Sequence, residues 1–413
     1  MNRFTRYAIV AISVLIIGWV GFGKVLGHSA NDNTYKSLGV YSEVLQKIQQ
    51  DYVDEPDMHL VTAGSLHGLL ESLDSESSYL TPREFAEYKQ KSSNAASGET
   101  GLNLSKRFGY IIVTSVLPDS SAEKAGLHSG DIFESIAGFT TREMSVGQAK
   151  NLLAGPLGTG VKVSVIRRGK TDPEDVEVVR ERISAPKLIV QRVDNETLAL
   201  RFPSLDAGRA EDVRTRLLEA QKQGVSRVIL DVRECGRGPE SEGIAIARLF
   251  VPSGQLIVLR GQTVPAQVFS ADASKVTWKG PVSVLMDGTT TGAAEVLAAS
   301  LANARRGDLV GDRTFGLASE QKLIPLDDGA ALFLTVANYY NTDGKSILEE
   351  GVTPTEIVRA SSAPGDDSGD GEDVTETPGT PKDSTMGPRP LSSDDPILRR
   401  ALELLKNPVK KAA

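Results

Sequence analysis

Apolar residues recur at helical intervals in "VYSEVLQKIQQDYV" (Val40–Val53) and again in "AGSLHGLLESL" (Ala63–Leu73), which predicts two amphipathic helices. "DSESSYLTPREFAEY" then supplies a turn and a proline-started helix, so residues 31–94 read as an N-terminal helical region. The pattern changes over residues 95–184. "GYIIVTSVL" and "VKVSVIRRG" are rich in β-branched residues and separated by Gly, Pro and Asp turns, which predicts strands. "SVGQAKNLLAG" between them predicts a short amphipathic helix. Over residues 185–359 strands and helices alternate: "TLALRFPSL", "AEDVRTRLLEAQKQG", "VSRVILDVR", "SEGIAIARLFV", "PVSVLMD", "AAEVLAASLANARRG" and "DLVGD". That succession predicts an α/β domain around a largely parallel sheet, with its site beyond the strand C-termini. "ALFLTVANYYNTDGKSI" adds one more strand. Residues 360–393, including "GDDSGDGEDVTETPGTP", cannot bury enough apolar area to order themselves and read as a disordered acidic linker. "DDPILRRALELLKN" opens a final stretch, 394–413, that predicts a C-terminal helix, with Asp395 as its cap ahead of Pro396.

Composition alters this picture at the N-terminus. Arg3 and Arg6 precede an uncharged stretch, Tyr7–Gly23, containing "AIVAISVLIIGWVGF". It is short for a membrane span and long for a signal-peptide core. No clear small-x-small cleavage site follows, so residues 1–30 read as a signal peptide or, in the favoured reading, an uncleaved membrane anchor, with the rest of the chain extracytoplasmic, as in a bacterial periplasm or cell envelope. The net charge of −8 and the lack of any basic, aromatic-interleaved stretch exclude a nucleic-acid binder. The single cysteine, Cys235, forbids an intramolecular disulfide. The four histidines are scattered without ligand spacing, so neither a metal nor another cofactor is expected. None of them follows His128, so catalysis in the last two thirds of the chain needs another base.

Several long stretches, in one order from about Tyr35 to Pro354, resemble the carboxy-terminal processing proteases, serine peptidases of the S41 type with an inserted PDZ domain. "DYVDEPD" and "LLESLDSESSYLTPREF" are similar to the family's N-terminal motif, with Glu76 where a histidine is usual. "PDSSAEKAGLHSGDIFESIAG" and "AKNLLAGPLGTGVKVSVIRRG" resemble its PDZ domain. "GDRTFGLASEQKLIPLDDGAALFLTVANYYNTDGKSILEEGVTP" resembles its protease domain. The resemblance implies a crotonase/ClpP-like α/β protease core, a parallel sheet with helices, carrying an inserted PDZ domain.

It also implies a serine activated by a lysine whose ammonium is destabilised by burial, with a glutamine orienting the lysine. Here the pattern departs from the family. The nucleophile position, three residues before Glu295 in "TTTGAAEVLAAS", is Gly292. The lysine position, after "TFG", is Leu317, and four further on Gln321 retains the glutamine. The oxyanion loop, R-N-N-P-G-G in the family, reads "RECGRG", placing Gly236 and Arg237 before Gly238. Arg237, Gly238 and Ala293 fall on the oxyanion positions. Glycine offers no nucleophile and leucine no base, and an arginine in the loop would disturb transition-state hydrogen bonding.

Replacement chemistry has three candidate sources. Thr289, Thr290 and Thr291 read as turn and N-cap residues. Lys322 adjoins Gln321 but, if the segment is a strand, points to its opposite face, and Ser319 has the same ambiguity. Cys235 reads as a buried small hydrophobe without a histidine to activate it. In the PDZ segment, Thr100, Gly101, Leu102, Asn103 and Leu104 fall on the carboxylate-binding loop and groove strand, with Ala149, Leu152 and Leu153 on the apolar side, where helical spacing sends one of the two adjacent leucines into the domain's core instead. Three readings follow. The first is a pseudoprotease that binds peptides or unfolded protein C-termini and regulates an active protease. The second is a working serine-type or threonine-type endopeptidase with a displaced nucleophile. The third is a structural subunit that assembles through its terminal helices, for example as a homo-oligomer.

Overall fold

The computed structural model describes residues 31–93, 97–167, 170–359, 391–392 and 394–406. The expected anchor (1–30) and nearly all of the expected linker lie outside the described residues. Among the described residues no helix is long and apolar enough to cross a membrane. The chain divides into two units, Met1–Ser65 and Leu66–Ala413. In the first, helix Asn31–Asp51 precedes the start of helix Met58–Glu71. Asp57 starts the second helix by accepting from the His59 and Leu60 amides at 2.9 and 3.2 Å.

The second unit is built on a six-stranded sheet. Strands Thr197–Arg201, Arg227–Asp231, Val282–Met286, Asp308–Gly311 and Glu356–Ile357 run parallel, and Ile189–Arg192 joins the edge antiparallel. The alternation within these strands sends side chains into two cores. Leu198, Leu200, Val228, Leu230, Val284 and Met286 pack against helices Arg209–Lys222, Glu240–Arg248 and Ala293–Asn303. Ala199, Ile229, Leu285 and Val310 face the other way, onto Ile397, Leu398, Ala401 and Leu405 of helix Pro396–Lys406. The C-terminal helix is thus the cover of the sheet's second face.

Asp395 fixes that cover. It accepts from the Ile397 and Leu398 amides at 2.9 and 3.2 Å, and its other oxygen accepts from Arg233 at 2.7 Å. Arg233 in turn holds the fully buried Asp231. Asp395→Ala removes a cap and a charge-assisted bond together, so a loss of about 2–3 kcal/mol in unfolding free energy is expected from urea titration.

A second sheet was not expected. Strands Ser78–Leu80, Ala331–Tyr340, Gln255–Arg260 and Gln267–Ser270 form an antiparallel path, with Ser319–Pro325 paired to Ala331–Tyr340. The domain is therefore parallel only in its first sheet. The N-terminal helical region also contributes a strand, Ser78–Leu80, where a turn is expected; it is too short to reveal a two-residue period.

An inserted domain leaves and re-enters the core through one neck, where Glu99 and Glu181 exchange backbone hydrogen bonds of 2.9 and 2.8 Å. Its sheet runs in the order Leu102–Arg107, Tyr110–Val116, Ile132–Ile136, Gly160–Ile166, Glu174–Val179. Leu102–Arg107 is an edge strand, and helix Val146–Leu153 lies beside it. Ser145 and Gln148 close a capping box that sets where this helix begins.

Candidate functional site

The strand Val282–Met286 ends in a corner built by side-chain acceptors. Asp287 accepts from the Thr289 amide and hydroxyl at 3.0 and 2.6 Å, and the Thr290 hydroxyl donates to the Val232 carbonyl at 3.0 Å. The threonines thus hold the turn, whereas the helix N-cap is Gly292 itself. Gly292 has φ 57° and ψ −120°. L-residues reach that region at a cost of order 1–3 kcal/mol, and it is the kind of sharp strand-to-helix turn on which hydrolases expose a nucleophile. A Cβ at Gly292 would meet nothing nearer than a Glu240 oxygen at 3.8 Å, so the corner has room for a side chain.

Glu295 organises the surroundings. Its side chain is fully buried in a helix otherwise made of small and apolar residues. One carboxylate oxygen accepts from the Thr314 hydroxyl at 2.5 Å and the Gly316 amide at 2.6 Å. The other accepts from the Gly292, Leu317 and Ala318 amides at 2.9, 2.7 and 3.1 Å. Positions 292 and 317 are therefore neighbours, tied to one oxygen. Burial pushes the Glu295 carboxyl up, and the donors from Thr314, Leu317, Gly316 and Gly292 oppose that push.

The "RECGRG" loop lies across the corner. Gly238, with φ 127°, passes so close to Leu205 that a Cβ would sit 2.1 Å from the Leu205 carbonyl oxygen. A Cβ at Gly236 would sit 2.6 Å from Thr291 Oγ1 and 2.9 Å from Ser115 Oγ of the inserted domain. The Arg237 side chain is committed to ion pairs, with Glu99 at the neck (3.0 Å) and Asp206 (3.3 Å). Ala293, buried at the first position of the helix, carries one of the N–H groups that have no intrahelical acceptor. Cys235 is buried, and burial pushes its thiol up to about 12, which leaves it inert at neutral pH.

A cavity of about 640 Å³ joins this loop to the inserted domain. Thr100, Gly101, Leu102, Asn103 and Leu104 line one wall, Leu153 belongs to the other, and Arg237 and Gln321 lie in the same lining. Two expected residues do not line it. Ala149 is fully buried in the domain's own core, and Leu152 packs against that core. The helix is rotated from the expected phase, so Val146, Gly147, Lys150 and Asn151 face the groove instead. Lys322 is not part of the lining.

Glu76, by sequence a departure from the family motif, also lines this cavity. Burial pushes its carboxyl above the ordinary glutamate range, Lys150 and Ser105 oppose this, and Asp74 adds to it. Between the ordinary and the raised value the folded chain keeps a proton that the unfolded chain has released, so Glu76 makes stability fall as pH rises through that window. Urea midpoints of Glu76→Gln are expected to decline less than those of the natural chain from acid to neutral pH. Equal slopes would contradict this.

Comparison with known proteins agrees with the architecture. Residues 196–358 match Peptidase family S41 and residues 112–167 match the PDZ domain. The chain is 29% identical over 331 residues to a carboxy-terminal-processing protease of Bartonella bacilliformis, covering 79% of this chain and 76% of that protein. It is 30% identical over 322 residues to a carboxyl-terminal-processing protease of Picosynechococcus, covering 75% and 76%. Among solved structures, a photosystem II D1 C-terminal processing protease superposes with a TM-score of 0.64 at 23% identity, covering 78% of this chain and 92% of that one, and shares the fold. Sequence, fold and inserted domain together place the chain in peptidase family S41, among the carboxy-terminal-processing proteases.

Proposed function

We propose that this protein is a pseudoprotease. It holds peptide or unfolded-protein C-termini in the groove of its PDZ domain and does not cut them. The observation that carries this reading is the pair Gly292 and Leu317, which puts a hydrogen atom and an isobutyl group where the family mounts a serine hydroxyl and a lysine amine. Other groups are poorly suited to take over. Thr291 is buried, with its amide bonded to the Cys235 carbonyl. Lys322 lies outside the cavity lining, and the Cys235 thiol stays protonated.

The binding half of the reading rests on the free edge of Leu102–Arg107, which supports strand addition by a peptide, beside an apolar wall supplied by Val146 and Leu153. The biological consequence we propose is regulation: the protein sequesters or presents C-termini that an active protease would otherwise process. Residues 1–30 anchor it in the inner membrane, facing the periplasm. The test is incubation with a tagged, unstructured peptide, for which no cleavage product is expected from the natural chain. Turnover abolished by Thr291→Ala or Lys322→Ala would establish the displaced-nucleophile endopeptidase instead.

A further inference from the structure

Two glutamates flank the site, Glu295 fully buried and Glu76 nearly so, and their surroundings treat them very differently. Glu295 is saturated by five donors, as described above. Glu76 is not. One of its oxygens accepts from the Ser105 hydroxyl at 3.1 Å, and the other faces Lys150 Nζ at 3.7 Å, beyond ordinary hydrogen-bond length. The Glu76 side chain is only 11% exposed, whereas that of Lys150 is 55% exposed and keeps much of its water. Such a rim-to-interior pair compensates little of the cost of burying the carboxylate. Asp74, two residues away, is also buried and adds negative charge.

Position gives this shortfall a meaning. Ser105 belongs to the groove strand and Lys150 to the groove helix, so Glu76 bridges the two walls at the end of the groove remote from Thr100 and Gly101. A peptide that adds antiparallel to the strand, with its carboxylate at that loop, sets its last residue opposite Leu102. Its fourth residue from the end then lies opposite Ser105. Directly opposed side chains share a face, with Cβ atoms about 5 Å apart. The fourth side chain therefore emerges beside Glu76.

We propose that Glu76 is a specificity-determining residue of the PDZ groove, selecting C-termini that carry lysine or arginine at the fourth position from the end. This rests on the groove binding peptide C-termini at all. A ligand cation supplies the donors that the carboxylate lacks, and an arginine does so in two parallel bonds. A ligand carboxylate there meets the negative charge of Glu76 and Asp74, with the exposed Lys150 beside them as a partial counterweight. Because Glu76 lies outside the PDZ sequence, on the turn before Ser78–Leu80, the core would take part in choosing what the inserted domain holds.

The experiment uses the full chain in detergent and fluorescein-labelled peptides ending in Lys-Ala-Ala-Leu, Ala-Ala-Ala-Leu or Glu-Ala-Ala-Leu, each with a free carboxylate. Anisotropy titration is expected to show the lysine peptide binding about tenfold more tightly than the alanine one, the equivalent of one charge-assisted contact, and the glutamate peptide more weakly than either. Glu76→Gln is expected to equalise the lysine and alanine peptides. Lys150→Met, which removes the competing ammonium and leaves Glu76 in place, is expected to widen the preference, and a narrowed preference there would count against the assignment. Equal binding of the lysine and alanine peptides by the natural chain, or a preference that survives Glu76→Gln, overturns the role of Glu76 alone. Failure of all three peptides to bind overturns the groove reading and this assignment with it.

Discussion

Gly292→Ser combined with Leu317→Lys is expected to turn a chain that leaves an unstructured tagged peptide intact into one that cuts it. The expectation follows from how much of the frame is in place. The two positions share the Glu295 carboxylate through their amides, and a Cβ at 292 has open space around it. Gln321 lines the adjoining cavity. A lysine introduced at 317 would take the position from which the family's base acts, and partial burial there favours its neutral, basic form. Each single substitution is expected to stay inert, because nucleophile and base act as a unit and losing either forfeits nearly the whole effect, about a million-fold. The double variant is also expected to remain slower than a working relative by about 10²–10³, since Arg237 still occupies the oxyanion loop. Its urea midpoint is expected to drop, because serine at φ 57° takes on strain of about 1–3 kcal/mol that glycine avoids. Cleavage by the natural chain would refute the pseudoprotease reading. A folded double variant without activity would refute the claim that the frame is intact.

The second large effect concerns Glu295. Glu295→Gln is expected to cost about 3 kcal/mol or more of stability, read as a fall in urea midpoint with an unchanged slope. The isosteric amide turns an NH₂ toward backbone N–H groups, so either the Gly316 side or the Leu317–Ala318 side of the clamp loses its acceptor. These amides are buried away from water, and an orphaned buried donor costs more than the lost bond alone. The 314–318 loop is also expected to open, with faster hydrogen exchange at Gly316, Leu317 and Ala318 than at Val284 in the adjacent strand. A change below about 1 kcal/mol would show that the carboxylate is not the acceptor on which the corner depends.

The apolar runs of this chain disclose their elements because strands buried on both faces, such as Arg227–Asp231 and Val282–Met286, leave little room for polar residues. Helix Pro396–Lys406 announces itself by Asp395 and its amphipathic spacing. The glycine at 292 and the leucine at 317 are equally plain, since side-chain chemistry is a property of residue type. What stayed hidden has a common cause. Strand Ser78–Leu80 is shorter than the window in which a period can be seen. The phase of helix Val146–Leu153 could not be read from alternating small and large residues, so Ala149 and Leu152 looked like groove residues, whereas Lys150 and Asn151 are the ones that face it.

Sequence alone therefore determined the family scaffold, the order of its elements and the presence of glycine at 292 and leucine at 317, because these depend on local pattern and residue identity. Only the tertiary structure decided that Glu295 joins positions 292 and 317, that Arg237 pairs with Glu99 across the neck, and that Glu76 reaches over the groove from a distant turn. Each of these brings together groups far apart in the chain, and the energy of a buried charge is set by what surrounds it in space, a quantity no linear spacing encodes.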